Sequence, residues 1–357
     1  GVTVAGVNQS FSDGVLGQGA SALDMGISGN GFFRLTDDAG RTFYSRNGQF
    51  QSDENGFIIN NQGMYLNGYQ ATGTPPTIEA GAPVGPIQIP TGQMPASAST
   101  SGTMKGNLNS EDDAIDTEEY PFDPANSKSY NSVTQVDAYD SLGNKHTINV
   151  YFVKTDDNTW KAYSSDTTSP VKDGDDVKYG ETTLEFDEKG QLVTNPAELN
   201  VQSAAYNGAE ALNFALDMDG MTQQATDTAM NSPSTNGYAP GLMNGYSVSD
   251  NGQIIASYSN GQKQLLGQVV LANFTNPGGL SSTGNNCWSE TPQSGQPTIG
   301  TSGTGNLGTL YGGKLEASNV DLGEEMVNMI VYQRNYQSNA QTIKTQSEIL
   351  QTLVNLR

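Results

Sequence analysis

Apolar side chains recur every seven residues near the end of the chain and predict one long helix. The first column of this repeat consists of Leu322, Met329, Tyr336, Ile343 and Leu350. A weaker second column, four residues further on in each repeat, consists of Met326, Gln333, Ala340, Ser347 and Val354. This spacing places both columns on one face of an α-helix and is typical of a coiled-coil or helix-bundle seam. All of these residues except Gln333 and Ser347 are predicted contact residues of an assembly helix.

The length of this helix indicates what its apolar face binds. A helix over 321–356 would be about 54 Å long, whereas a small domain is about 30 Å across. Because a straight helix cannot follow a compact surface, we expect its apolar face to bind another helix or other copies of the chain. A helix folded back on its own domain is the alternative.

The start of the helix also has sequence signals. Ser318 and Asp321 form a variant of the capping box, and Glu324 and Glu325 add favourable negative charge to the first turn.

Short strands and turns are predicted for almost all of the remaining chain. Asn-Gly pairs, the strongest short-range hairpin signal, include Asn30–Gly31, Asn47–Gly48, Asn55–Gly56, Asn67–Gly68, Asn251–Gly252 and Asn260–Gly261. Alternating apolar and polar residues predict a β-meander over 133–163, and a hairpin in which 213–216 and 222–225 flank Asp219–Gly220. The segments 71–101 and 275–313, rich in small and turn-forming residues, predict a linker and an extended path.

These elements predict a mainly β, multi-domain fold with two β-rich domains, one inserted in the other, and a long C-terminal α-helix. The first seventy residues and 246–274 share one pattern of strands and turns, which assigns them to the same domain. The predicted boundaries are 1–72 and 240–316 for a discontinuous inner β domain, 73–239 for an inserted outer β domain, and 317–357 for the assembly helix.

Composition and charge narrow the classes of partner. The 357 residues include 42 glycines and 34% hydrophobic residues, which suits many short strands with modest cores. The formal net charge is −22, and residues 101–190 hold 19 of the 38 Asp and Glu residues. Nucleic acid and anionic membranes would repel such a chain. We therefore interpret the acidic middle as a solvent-facing outer region and the nearly neutral helix as a contact region. No apolar run reaches 18 residues, so we predict no membrane insertion.

Candidate chemistry is sparse, and we predict no catalytic residue, no metal site, no cofactor and no enzymatic activity. The only histidine, His146, follows a hairpin turn and is interpreted as a solvated strand residue. The only cysteine, Cys287, has no basic neighbour to lower its pKa and is interpreted as a small packing residue. Gly303–Gly308 matches a dinucleotide-binding fingerprint by letters alone, because it neither follows a predicted strand nor opens a helix. Weak calcium binding by acidic clusters such as Asp173–Asp176 is left open, as is glycoside hydrolysis by an unassigned carboxylate pair.

Two groups of motifs at the ends of the chain resemble the bacterial flagellar rod and hook axial proteins. They are Ser28-Gly29-Asn30-Gly31-Phe32-Phe33, Tyr44-Ser45-Arg46-Asn47-Gly48-Gln49-Phe50 and Asn67-Gly68-Tyr69, followed by Leu315-Glu316-Ala317-Ser318-Asn319-Val320-Asp321-Leu322, Gln333-Arg334-Asn335-Tyr336-Gln337-Ser338-Asn339 and Asn355-Leu356-Arg357. The residues that carry most of this resemblance are Asn30, Gly31, Phe32, Phe33, Arg46, Asn47, Gly48, Ser318, Asn319, Val320 and Arg334. The insert of roughly 170 residues between the two groups favours the hook members of the family over the distal rod members.

The resemblance implies a structural subunit that polymerises into a flexible, curved helical tube, the universal joint that transmits torque from motor and rod to filament. It further implies type III export, an extracellular position in the flagellum, and contacts with rod proteins, hook–filament junction proteins and a hook cap during assembly. The family's N-terminal helix would precede Gly1, so we expect it to be missing from this sequence. A distal rod protein is the alternative within the family. Outside the family, the alternatives are an extracellular β-rich adhesin and an extracellular hydrolase.

Overall fold

The computed structural model describes residues 3, 4 and 6–355. The strands of the first half of the chain are β1 (Leu16–Gln18), β2 (Met25–Ser28), β3 (Phe32–Thr36), β4 (Thr42–Ser45), β5 (Phe50–Ser52), β6 (Ile58–Asn60), β7 (Tyr65–Gln70), β8 (Gly85–Pro86), β9 (Ser101–Asn109), β10 (Ser132–Tyr139), β11 (Lys145–Asp156), β12 (Thr159–Asp166), β13 (Lys172–Asp173) and β14 (Asp176–Val177). The remaining strands are β15 (Gly180–Glu185), β16 (Glu198–Gln202), β17 (Asn213–Asp217), β18 (Thr222–Gln224), β19 (Ala229–Thr235), β20 (Met243–Val248), β21 (Gln253–Tyr258), β22 (Lys263–Asn273), β23 (Ser281–Gly284), β24 (Cys287–Ser289), β25 (Thr298–Thr301), β26 (Thr309–Gly312) and β27 (Lys314–Glu316).

Among the described residues, one long helix, α1 (Leu322–Asn355), follows the strands, and a single 3₁₀ turn spans Pro277–Gly279. The predicted mainly β, multi-domain fold with a long C-terminal helix is confirmed. The predicted end of the helix at 356–357 lies outside the described residues. Within the described residues, no helix is long and apolar enough to cross a membrane.

The first of two compact units contains the chain up to Thr91, Tyr246–Ala256, and the chain from Gln264 onward, including α1. Its main sheet has the strand order β20-β21-β22-β7-β3-β4-β24-β23, with β25, β5, β6 and β8 pairing at its sides. The alternation of apolar and polar residues in these strands sends one set of side chains into the core. The fully buried residues of this core include Phe33, Leu35, Ile58, Leu66 and Val270.

Two segments of this unit differ from the sequence-based prediction. The boundary expected at residue 72 lies at Thr91, because the predicted linker packs against the sheet. Ile87 is fully buried, and its carbonyl accepts a hydrogen bond from the Ile58 N–H at 3.1 Å. The segment 275–313, predicted as an extended path, contains β23 to β26. Short edge strands joined by tight turns need the same small and turn-forming residues as a linker, so composition alone misassigned both segments.

The second unit contains Gly92–Gly245 and Ser257–Lys263. A four-stranded sheet, in the order β10-β11-β12-β15, contains the predicted meander. A second sheet has the order β16-β17-β9-β18, with β19 also pairing with β9. Inward-facing side chains from both sheets form one hydrophobic core around Trp160, with Phe152, Met104 and Phe214 among its members.

The predicted hairpin around Asp219–Gly220 is wrong. β17 pairs antiparallel with β16, and both β17 and β18 pair in parallel with β9 rather than with each other. β9 was missed because its sequence is rich in glycine, serine and asparagine, which are depleted in strands. Its alternate positions from Gly102 to Leu108 are nevertheless buried, so the strand contributes small and apolar groups to the core. Gln191 and Leu192 form only isolated bridges.

Candidate assembly surface

The predicted seam of α1 is exposed along its whole length. α1 contains no buried residue in the described chain, so the helix does not fold back along its own unit. The large side chains of the seam are between 51% and 73% exposed, and they are Leu322, Met326, Met329, Tyr336, Ile343, Leu350 and Val354. Ala340, the remaining predicted contact residue, is also exposed. Large apolar side chains exposed in this number along one helix face are typical of a protein-interaction site.

A second apolar face lies on the far side of α1 and was missed by the seven-residue pattern. It consists of two pairs four residues apart, Val327 with Val331 and Ile349 with Leu353, all exposed by 47% or more. At about 100° per residue, these four side chains centre roughly 155° around the helix from the seam. The signal was present as i, i+4 spacing, but each pair is too short to show a repeat. α1 therefore presents apolar side chains on two faces, of which one partner helix would cover only one.

Asp321 caps the N-terminus of α1. Its Oδ1 accepts hydrogen bonds from the Gly323 N–H at 2.8 Å and the Glu324 N–H at 3.3 Å, which satisfies two of the four unpaired N–H groups of the first turn. The predicted capping box that begins at Ser318 is wrong, because the Ser318 hydroxyl accepts from the Val320 N–H outside the helix. Glu324 and Glu325 lie in the first turn, where the helix dipole favours negative charge.

Arg46 joins the strand that leads toward the helix to the turn after β2. Its Nε and Nη2 donate to the two carboxylate oxygens of Glu316, each at 2.9 Å. Its Nη1 donates to the carbonyls of Gly29 at 2.7 Å and Gly31 at 2.8 Å, and Nη2 also reaches the carbonyl of Ile27 at 3.2 Å. The Arg46 and Glu316 side chains are only 17% and 10% exposed. The planar guanidinium therefore donates to the Glu316 carboxylate and to the backbone carbonyls at the same time.

An N-terminal strap, residues 9–13, runs beside the approach to the helix. Asp13 contacts Arg46 Nη2 at 3.2 Å, and the ring of Phe11 packs edge-to-face against Phe32 and Trp288. The Asn319 side-chain amide donates to the Ser12 carbonyl at 2.9 Å. The strap, Arg46 and 315–319 line a polar groove of about 500 Å³.

The structure brings some of the family-motif residues together and leaves others apart. Arg46, Asn47, Ser318 and Asn319 all line this groove. Phe32 and Phe33 are core residues of the first unit. Gly48 is buried where an added Cβ would overlap the Met25 carbonyl oxygen, so this glycine is required by close backbone packing.

Of the remaining motif residues, Gly31 is buried, whereas Asn30, Val320 and Arg334 lie at the surface. Asn30 is exposed, and its carbonyl accepts a hydrogen bond from the Gly308 N–H at 2.6 Å. The Gly31 carbonyl binds Arg46, whereas Val320 and Arg334 are exposed. The motifs therefore include core, groove and helix positions, and no single cluster contains them all.

The interpretation of His146 as a solvated residue is wrong. Its ring is 1% exposed, with Nδ1 2.6 Å from Asp166 Oδ2 and Nε2 3.2 Å from Asp140 Oδ2. Burial raises the pKa of Asp140, but hydrogen bonds from Asn144, His146 and the Leu142 N–H outweigh it, so the pKa lies below its ordinary value. Both carboxylates are buried and contact the His146 ring. The triad of Asp140, His146 and Asp166 is therefore a structural feature of the second unit.

The other candidate chemistry also falls on structural positions. Cys287 is 1% exposed, and burial raises the pKa of its thiol, which suits a packing residue. Asp173 forms an ion pair with Lys178 at 3.1 Å. Among residues 3, 4 and 6–355, no group of three or more His, Cys, Asp and Glu side chains is arranged to hold a metal ion.

Three family models match separate parts of the chain. Residues 26–106 match the flagellar hook protein FlgE/F/G D1 domain, and residues 107–238 match the flagellar basal body protein FlaE D2 domain. Residues 311–356 match the flagellar basal body rod FlgEFG protein C-terminal family. The D2 match covers most of the second unit, and the C-terminal match includes all of α1.

Individual proteins match over the entire chain. The flagellar hook protein FlgE of Escherichia coli K12 is 51% identical over all of this chain and 88% of its own length. The proteins of that name from Salmonella typhimurium and Brucella suis are 49% and 32% identical, with 88% and 85% of their lengths covered. The crystal structure of Helicobacter pylori flagellar hook protein FlgE2 aligns with a TM-score of 0.61 at 14% identity, over 84% of this chain and all of that chain. At that identity, the structural match supports the fold alone.

Proposed function

The chain belongs to the family of flagellar hook proteins named FlgE and is a structural subunit of the bacterial flagellar hook, and we propose that it polymerises there into a flexible, curved helical tube. The tube would act as a universal joint that transmits torque from the rod to the filament. The observation that carries this proposal is the long helix α1, whose apolar side chains are uncovered on two faces. Head-to-tail contacts that do not close into a ring produce a helical polymer.

The contact residues of the polymer are proposed to be the seam of α1. Leu322, Met326, Met329, Tyr336, Ala340, Ile343, Leu350 and Val354 would pack against helices of neighbouring subunits as a coiled coil or bundle. Full burial of one such Leu, Ile or Met side chain contributes roughly 1.5–3 kcal/mol. The helix has three acidic and two basic residues between Leu322 and Asn355, so repulsion between parallel copies would be small. Weak electrostatics and a long apolar surface together favour association between like helices.

The outer region is proposed to be the inserted domain, with its acidic residues facing solvent and neighbouring copies. Further partners are proposed from family membership: rod proteins, hook–filament junction proteins, a hook cap during assembly and the type III export apparatus. The proposed location is extracellular, in the flagellum. The family model matching residues 107–238 favours the hook over the distal rod, because this match accounts for the large insert.

We also propose that the role of this chain is structural rather than enzymatic. The supporting observation is that the chain's only histidine is held between two buried carboxylates, and its only cysteine is buried in a sheet. Neither side chain is placed to reach a substrate.

Electron microscopy of the full-length protein under polymerising conditions tests the proposal. The expected result is curved helical tubes for the wild type, and none for a variant that lacks residues 322–355. Tubes that persist without α1 would contradict assembly through this helix. Tubes that are always straight would favour a rod protein instead.

A further inference from the structure

The direction of α1 is set by the residues before it, because no side chain of the helix is buried. The strand that leads to the helix, β27, belongs to a two-stranded sheet with β1. A two-stranded ribbon has marginal stability by itself. Its orientation on the first unit therefore depends on the backbone just before it, where the Gly313 N–H donates to the Asp24 carbonyl at 2.7 Å, and on contacts between its side chains and the rest of that unit.

Arg46 supplies the strongest of these contacts. It binds both carboxylate oxygens of Glu316, the last residue of β27, and at the same time three carbonyls of residues 27–31. Such charge-assisted, bidentate bonds are short and directional. A lysine could keep one charge contact, but its single ammonium cannot replace the planar fork. Arg46 therefore fixes both the position and the angle of the ribbon's end.

Two further anchors follow along the same path. Glu316 Oε1 also accepts the Gly14 N–H at 2.8 Å, and the Ala317 N–H donates to the Val15 carbonyl at 2.9 Å. The Asn319 amide then binds the strap, only three residues before α1 begins. The chain between the Arg46 contact and the helix is thus held at Glu316, Ala317 and Asn319, so an angle fixed at Glu316 is passed on to α1.

We propose that Arg46 is a positioning residue for assembly: by binding Glu316 it fixes the direction in which α1 leaves the strands of the first unit. This inference rests on the proposed function, since the direction of the helix matters only if α1 binds neighbouring subunits. Arg46 lies 276 positions before Leu322, the first residue of the helix, and does not belong to the apolar faces.

The test compares Arg46→Met and Arg46→Lys with Arg41→Met in the full-length protein. Arg41 is a matched control, because it also pairs with a carboxylate, Asp37 at 2.7 Å, but is 74% exposed and distant in sequence from β27. Both Arg46 variants are expected to raise the critical concentration for tube formation at least tenfold, or to change the helical twist of the tubes. Arg41→Met is expected to assemble like the wild type. Wild-type concentration and twist in both Arg46 variants would overturn the inference.

A second measurement separates positioning from simple loss of folding. Spin labels at Asn61→Cys and Asn339→Cys report the distance between the strands of the first unit and the helix α1 in unpolymerised protein. Glu316→Gln, which removes the charge but keeps the shape, is expected to broaden or shift this distance distribution while the melting temperature of the β units stays within a few degrees. An unchanged distribution in folded Glu316→Gln would overturn the inference, even if the Arg46 variants fail to fold. Loss of the proposed function would differ, since tubes would then survive removal of α1.

Discussion

The core of the second unit and the helix α1 use the same classes of apolar side chain in opposite ways. Trp160 and Phe152 are fully buried between two sheets of one subunit, whereas Tyr336 and Ile343 are 68% and 71% exposed. In the core, apolar burial stabilises the folded subunit directly. On the helix, the same free energy becomes available only when another helix or another copy of the chain covers the surface. Subunit stability and polymer stability are therefore encoded in separate parts of the chain.

This separation has a consequence for the isolated subunit. Most helical stability in proteins comes from packing of an apolar face, and α1 has no such packing among the residues that the structure describes. The exposed ends of α1 are expected to fray in the monomer and to become ordered on assembly. Assembly would then combine burial of the helix with its folding, which makes the polymer cooperative.

The largest expected difference between the two regions comes from truncating one aromatic side chain in each. Trp160→Ala should lower the free energy of unfolding of the second unit by about 3–5 kcal/mol, because it leaves a cavity in a close-packed core. It also removes the donor to Gln223 Oε1 at 2.6 Å. Tyr336→Ala should change the free energy of unfolding by less than about 0.5 kcal/mol, as at other exposed sites. Urea titrations of the unpolymerised variants measure both values, and equal losses would refute the separation.

A smaller effect is expected from the buried triad of the second unit, and it depends on pH. Because the folded-state pKa of Asp140 lies below its ordinary value of 3.8, its contribution to stability is present above that value and is lost as pH falls through the lower folded pKa. Asp140→Asn should cost roughly 1.5–3 kcal/mol at pH 7, the range for hydrogen bonds to a charged group. The difference from wild type should shrink in urea titrations as the pH falls below 3.8. A pH-independent difference would show that the charge of Asp140 does not matter.

The smallest effect concerns the start of α1. Asp321→Ala should destabilise the helix by about 1 kcal/mol, because two N–H groups of the first turn lose their acceptor. Circular dichroism of the monomer should show reduced helix content. Ser318→Ala is the matched control and should leave helix content unchanged, since Ser318 bonds only outside the helix. A larger loss for Ser318→Ala would restore the capping box predicted from sequence.

The parts of the fold that sequence predicted are those with a local, repeated signal. The heptads of α1 and the alternation in β10 to β12 were visible within ten to thirty residues. β9 was missed because its glycines obscure a regular buried alternation. The predicted environment of His146 was wrong because one of the two carboxylates that contact it, Asp166, lies 20 residues away in sequence and gives no local signal.

The role of Arg46 could not be derived from local patterns at all. The side chain contacts Glu316 across 270 positions, and this contact exists only once both ends of the chain have folded together. Family resemblance marked Arg46 as characteristic, but only the structure gives a physical reason. Long-range polar contacts of this kind have no periodicity from which they could be predicted.

The central claim is that the apolar seam of α1 assembles the subunits, and one matched pair of variants tests it directly. Ile343→Asp places a charge on the seam, whereas Gln341→Asp places the same charge about 160° away around the same turn of the helix. Both positions are exposed in the monomer, so neither variant should alter the unfolding of the β units. Electron microscopy under polymerising conditions should show curved tubes for the wild type and Gln341→Asp and none for Ile343→Asp. Equally abundant tubes from both variants would contradict assembly through the seam.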